Sequence, residues 1–137
     1  MKNFPPSVTV GAVALFDSDK RVLLGQRASG SELAGFWEFP GGKQREGETI
    51  RMAACREVAE ELALHVEEEE LTPFGTVNHR YERFLLRLHL FVCREWIGVP
   101  SLIVHRRIRW VPIHRLPFYS MPPADQPLVK KLLIKYA

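Results

Sequence analysis

A chain of 137 residues that is 46% hydrophobic and 26% charged can bury a real core within one domain, and its composition excludes a disordered or fibrous protein. The formal net charge of +3 mildly favours anionic ligands, although a solvated surface explains so small an excess equally well.

Near the N-terminus, "TVGAVALF", the turn "DSDK" and "RVLLGQRA" read as two strands joined tightly into a hairpin, since β-branched and aliphatic residues flank a cluster of turn formers. The first of these could pass for a signal sequence, but it follows Pro5-Pro6, has no small-residue cleavage site and runs straight into the turn. "GSELAG" is loop, and "FWEFPGGK" is a short strand stopped by Pro40 and two glycines. From Thr49, a suitable N-cap, the chain to about Leu62 has helical spacing, with Ala54, Val58 and Leu62 at i+4 and Cys55 beside them. "EEEE" at 67–70 is a solvated turn or strand start. "TPFGTVNHRY", "RFLLRLHLFVCREW" and "RIRWVPI" read as strands, and "PADQPLVKKLLIKYA" as a closing amphipathic helix with Leu128, Leu132 and Leu133 inward. The expected architecture is a mixed sheet with helices packed on it. Cys55 and Cys93 each lack a second cysteine nearby, so no zinc pattern or disulfide framework is expected, and a reducing, cytoplasmic setting fits. No apolar run approaches the roughly 18 residues of a membrane span, so no membrane partner is expected.

The chemistry is concentrated in "GGKQREGETIRMAACREVAEELAL", residues 41–64. Glu57, Glu60 and Glu61 fall three and four apart on the helix and share one side of it, with only Arg56 at hand to offset them. Spacing alone leaves two readings open: a solvated helix face, or an all-oxygen site for magnesium or manganese.

The order of residues adds to this. Gly42, five residues, Glu48, seven residues, then "REVAEEL" and Leu64 resemble the Nudix box, the signature of hydrolases that cleave a nucleoside diphosphate linked to another group. The resemblance implies an α/β Nudix fold, a mixed β-sheet sandwiched between α-helices, with residues 1–137 as one domain. It also implies Mg2+ (or Mn2+) held by Glu57, Glu60, Glu61 and the carbonyl of Gly41, with Arg56 orienting and Glu48 braced by it. A metal there would quench phosphate charge and lower the pKa of a bound water. One departure lies inside the box: the family has glycine where this chain has Ala63, at a helix end where a left-handed C-cap is common.

"LGQRA", "GFWEFPGGK" and "MPPADQPLVKKL" resemble the MutT branch, whose members hydrolyse nucleoside triphosphates to monophosphate and pyrophosphate and are best known for removing oxidised guanine nucleotides. The resemblance places Arg27 and Phe39 in the nucleotide pocket and Asp125 against the base. Asp125 reads equally as an N-cap for the last helix, and strand aromatics such as Trp37, Phe39 and Trp110 are more often core than base platforms. Where the branch often has a loop glutamate six residues before the tryptophan matching Trp110, this chain has Val104, followed by His105, Arg106 and Arg107. The general base is then either Glu57 in the box, the reading preferred here, or a loop residue such as His105.

The expected substrate is a nucleoside triphosphate of the 8-oxo-dGTP type, with CTP or modified dCTP as the alternative and other nucleoside diphosphate derivatives behind them. A non-catalytic Nudix module typically lacks so complete an acidic box. A nucleic-acid-binding domain, suggested by a sequence pI near 9.1 and "HRRIRW", conflicts with the acidic helix, so no stable nucleic-acid partner is expected. The chain is expected to act as a monomer or homodimer.

Overall fold

The computed structural model describes residues 5–136. Strand β1 (Ser7–Leu15) lies at the centre of a four-stranded sheet, parallel to β6 (Leu85–Cys93) and antiparallel to β4 (Gly41–Lys43), with β5 (Thr72–Arg80) antiparallel to β6 at the far edge. A second, antiparallel sheet has the order β3 (Trp37–Glu38), β2 (Arg21–Gln26), β7 (Arg107–Pro112).

Alternation along β1 explains why both faces of the mixed sheet are covered. Ala12 and Ala14 enter one core with Leu88, Leu90, Phe74 and the closing helix, while Val13 and Leu15 enter another with Ala54, Val58 and Leu62 of the box helix. The mixed sheet is thus held between helix α1 (Ile50–Leu62) and helix α2 (Gln126–Tyr136), the expected layering. In α2, Leu128 and Leu132 are buried as expected, Val129 joins them, and Leu133 is only partly buried. Ala137, the last residue of that stretch, lies outside the described residues.

Two expectations need correction. The turn after β1 forms as read, with Asp17 Oδ1 accepting from the Asp19 and Arg21 amides at 3.0 and 2.8 Å, but the hairpin does not. Both edges of β1 are taken by β4 and β6, so β1 and β2 share the single bridge Phe16–Val22 and β2 passes into the second sheet. Likewise "FWEFPGGK" holds more than the one short strand: β3 stops before Pro40 as read, but the two glycines begin a second strand, β4, in the other sheet. That change of sheet lets Glu38 and Gly41 approach one site from different sheets.

Helix α1 begins as expected, the Thr49 hydroxyl accepting from the Met52 amide at 3.1 Å, and it ends on Ala63 in the left-handed conformation, φ 58° and ψ 34°. A Cβ makes that conformation costly by about 1–2 kcal/mol, partly offset by the extra freedom glycine would have in the unfolded chain. Ala63→Gly is therefore expected to stabilise the fold by about 0.5–1 kcal/mol and to leave turnover nearly unchanged. Thermal unfolding and steady-state rates check this. A collapse or large rise in rate would show that the helix end helps to place the carboxylates.

Candidate active site

The box helix presents its carboxylates towards β4 and β3. Arg56 sits at the hub. Its Nε donates to Glu48 Oε2 at 2.6 Å and its Nη2 to Glu48 Oε1 at 3.0 Å, a two-point fork that fits a planar guanidinium to a carboxylate. Nη2 also donates to the Lys43 carbonyl at 2.9 Å, and Nη1 to Glu57 Oε1 at 2.8 Å and Glu60 Oε2 at 3.2 Å. Hydrogen bonds from Arg56 and from the Arg45 amide hold Glu48 down at about 2. One arginine thus ties the glycine loop, Glu48 and two helix carboxylates into one unit.

Glu61 is different. It is buried, its Oε1 receives only a long 3.4 Å hydrogen bond from the Gly41 amide, and it faces two other carboxyls. Burial first, then the charge of Glu38 and the proximity of Glu57, push Glu61 up to about 9. The backbone is fitted tightly around the cluster: a Cβ at Gly42 would lie 2.3 Å from the Glu57 carboxyl carbon, so only glycine lets β4 run so close. Crowded like charges on an oxygen-only donor set, with one of them desolvated, match what a hard divalent cation relieves. Of the expected carboxylates, Glu61 lies in the group whose possible ligand atoms all fall within 4.8 Å of one another, together with Glu38 and His105, while Glu57 and Glu60 stand beside it, held by Arg56.

Beside this cluster opens a cavity of about 560 Å³, lined by Gly41, Gly42 and Lys43 of β4, by Val8, Val10, Leu86 and Leu88 of the mixed sheet, and by Arg27, Glu38, Phe39, Tyr81, Phe84 and Asp125. Its walls are largely apolar, as a nucleobase requires, with a few polar groups converging on it. The structure brings all three sequence-expected pocket residues here. Arg27 donates from Nη1 to Glu38 Oε1 at 2.9 Å and from Nε to the Glu32 carbonyl at 2.6 Å. Phe39 is both a core residue, 3% exposed, and a cavity wall, so the two readings of it coexist. Asp125 is the last residue of the 3-10 turn Pro123–Asp125 and stands directly before α2, so the position of a helix cap and a wall of the cavity fall on the same residue. Burial first, then the charge of Glu38, push its carboxyl up to about 7, against an opposing pull from Arg27.

The matches with known proteins agree with this geometry. The family model described as NUDIX domain covers residues 11–131. The chain is a Nudix hydrolase. Among its relatives, an 8-oxo-dGTP diphosphatase from Haemophilus influenzae is 31% identical over 126 residues, 92% of this chain and 91% of that protein. A CTP pyrophosphohydrolase from Escherichia coli is 30% identical over 122 residues, 88% of this chain and 87% of that one. A solved MutT structure, from work on the Aliivibrio salmonicida and Vibrio cholerae proteins, superposes with a TM-score of 0.81 at 28% identity, covering 95% of this chain and 99% of its own. This Nudix hydrolase is MutT-like along nearly its whole length. No helix among the described residues is long and apolar enough to cross a membrane.

Three further residues of the site carried no assigned role in the sequence reading. Glu38 reaches both Arg27 and His105, and its signal was a lone charge in the otherwise apolar "FWEFP". Tyr81 and Phe84, stacked with ring centroids 5.1 Å apart at the β5–β6 turn, wall the cavity, and the Tyr81 hydroxyl accepts from the Ala124 amide at 3.2 Å. Only the tertiary fold brings that turn to Asp125.

Proposed function

We propose that this Nudix hydrolase converts nucleoside triphosphates to monophosphate and pyrophosphate, with oxidised guanine nucleotides of the 8-oxo-dGTP type as its preferred substrates. The observation that carries the base assignment is Asp125, buried in an apolar cavity with a carboxyl raised to about 7. A neutral carboxylic acid offers one donor and one acceptor, which matches the O6 and protonated N7 edge of 8-oxoguanine. Once ionised it offers acceptors only, which match the N1 and N2 hydrogens of guanine. The name of the Haemophilus relative is consistent with this choice.

In this reading Glu57, Glu60 and Glu61 hold Mg2+ or Mn2+, joined by the Gly41 carbonyl. The bound ion would quench charge on the phosphates and acidify a coordinated water. Arg56 fixes Glu57 and Glu60 in place, and Glu48 keeps Arg56 oriented through the two-point fork. Glu57 serves as the general base. Arg27, Phe39 and Asp125 receive the nucleoside. The chain works as one domain in the cytoplasm, as monomer or homodimer, without a nucleic-acid partner.

A second reading has one specific support. Neutral Asp125 also matches the N4 hydrogen and N3 acceptor of cytosine, and the Escherichia coli relative is named for CTP. A panel of purified nucleotides with magnesium, scored for pyrophosphate against phosphate release, tests both. Fastest pyrophosphate release from 8-oxo-dGTP is expected. A preference for CTP would move the assignment to the second reading, and release of phosphate alone would contradict the mechanism.

A further inference from the structure

His105 precedes β7 and has no part in the chemistry above, yet it is among the most enclosed polar side chains of the site, with only 3% of it exposed. The ring lies flat against β2 at Gly25, where a Cβ would come within 2.5 Å of its carbons. Its Nε2 is 2.9 Å from Glu38 Oε2 and 3.6 Å from Glu61 Oε1. Glu38 Oε2, which lies within hydrogen-bond distance while Glu61 does not, is the acceptor for Nε2, so the Nε2–H tautomer donates to Glu38. The other nitrogen, Nδ1, is buried without a partner among the described residues.

These facts separate three roles. A general base must reach the reacting water, and His105 is neither a wall of the cavity nor solvent-accessible. As a metal ligand Nε2 could share an ion with Glu38 and Glu61, whose oxygens lie within 4.8 Å, but it would then give up its hydrogen bond to Glu38, and no carboxylate or carbonyl among the described residues takes the Nδ1 hydrogen to orient the ring. The remaining role is mechanical. Glu38 uses one oxygen to accept from His105 and the other to accept from Arg27, so a single line of hydrogen bonds runs from beside Glu61, through His105 and Glu38, to the arginine of the nucleoside cavity.

We propose that His105 is a positioning residue that joins the two halves of the site: its Nε2–H holds Glu38, Glu38 holds Arg27 in the nucleoside cavity, and the same hydrogen separates the Glu38 and Glu61 carboxylates. This rests on the assignment of Arg27 to nucleoside binding and Glu61 to metal binding. Without the donor, Glu38 Oε2 loses the hydrogen bond that fixes it beside Glu61, and Arg27 loses a fixed anchor. The effect falls on nucleoside affinity before it falls on the chemical step.

The test compares His105→Leu, His105→Gln and Gly25→Ala with the wild type. Three quantities are measured: kcat and KM with magnesium for the triphosphate turned over fastest, the Kd of its monophosphate, and the affinity for Mn2+ alone by electron paramagnetic resonance. His105→Leu is expected to raise KM and the monophosphate Kd by about tenfold or more while kcat falls only a few-fold, and Mn2+ affinity stays within about twofold. His105→Gln, which keeps an N–H donor, should recover most of the affinity. Gly25→Ala, which displaces the ring without altering it, should repeat the Leu phenotype; if His105→Leu fails to fold, the Gln and Gly25→Ala pair decides alone. Wild-type monophosphate affinity in Gly25→Ala overturns the proposal, as does equal impairment of the Gln and Leu variants. A collapse of kcat with affinity intact would make His105 a base, and a tenfold loss of Mn2+ affinity would make it a ligand; either overturns it. A wild type that hydrolyses no triphosphate instead refutes the functional reading, and the inference falls with it.

Discussion

Glu57→Gln is expected to lower kcat by at least about a hundredfold with saturating magnesium, whichever triphosphate is used. The substitution is nearly isosteric, and the amide oxygen can still accept the 2.8 Å hydrogen bond from Arg56 Nη1, so the fold and the Arg56–Glu48 fork should survive. What disappears is the charge. Gly42 brings the backbone close against this carboxyl, and the amide of glutamine fills the same space. The loop position where the MutT branch often has a helper glutamate is Val104, half exposed and without a titratable group, so no second carboxylate stands in reserve there. Metal titration of the variant separates the two contributions: a rate restored by excess Mn2+ marks the lost ligand, and a rate that stays low at saturation marks the lost base. Turnover close to wild type would refute the assignment of Glu57.

Asp125→Ala is expected to cut discrimination between guanine and cytosine nucleotides by about 1–3 kcal/mol, the range for one good base contact, while the poorest substrate changes little. Equal loss on all substrates, or an intact preference, would place base reading elsewhere. The carboxyl adds a pH dependence that alanine and asparagine lack. With its carboxyl raised to about 7, wild type should favour 8-oxo-dGTP over dGTP most strongly below that pH, and the ratio of kcat/KM values should fall as pH rises through it. Asp125→Asn should hold its preference across the same range. Stability follows with a definite sign. A carboxyl raised in the folded state above its ordinary 3.8 contributes fully below that value, and the contribution is lost as pH rises towards and through 7. Asp125→Asn should therefore gain in Tm over wild type at pH 8 compared with pH 5. A constant difference would show that Asp125 is ionised throughout.

Local pattern and order determined a good part of this protein by themselves. The helix with its Thr49 cap, the acidic face of Glu57, Glu60 and Glu61, and the closing helix are short-range features, dictated by 3.6-residue periodicity and by side chains that bond their own backbone; the first two stand as read, and the closing helix forms from Gln126, after a 3-10 turn over Pro123–Asp125. The order from Gly42 to Leu64 was enough to identify the family, because the motif is one continuous stretch of strand β4, loop and helix α1. Pairing between strands lies beyond such signals. Whether β2 would pair with β1 depended on β4 and β6 already occupying both edges of β1, and the sequence between Phe16 and Val22 carries no trace of that competition. The same holds for electrostatics. That Arg56 would bind Glu48 and Glu57 together is nearly local, but the meeting of Glu38, Glu61 and His105 joins β3, α1 and the segment before β7, and the rise of Asp125 to about 7 needs the burial and the Glu38 charge that only the assembled cavity supplies. Desolvation and contact order are properties of the packed chain, so the acidic helix of the Nudix box was legible from residues 41–64 while the tuning of its neighbours was decided by tertiary structure alone.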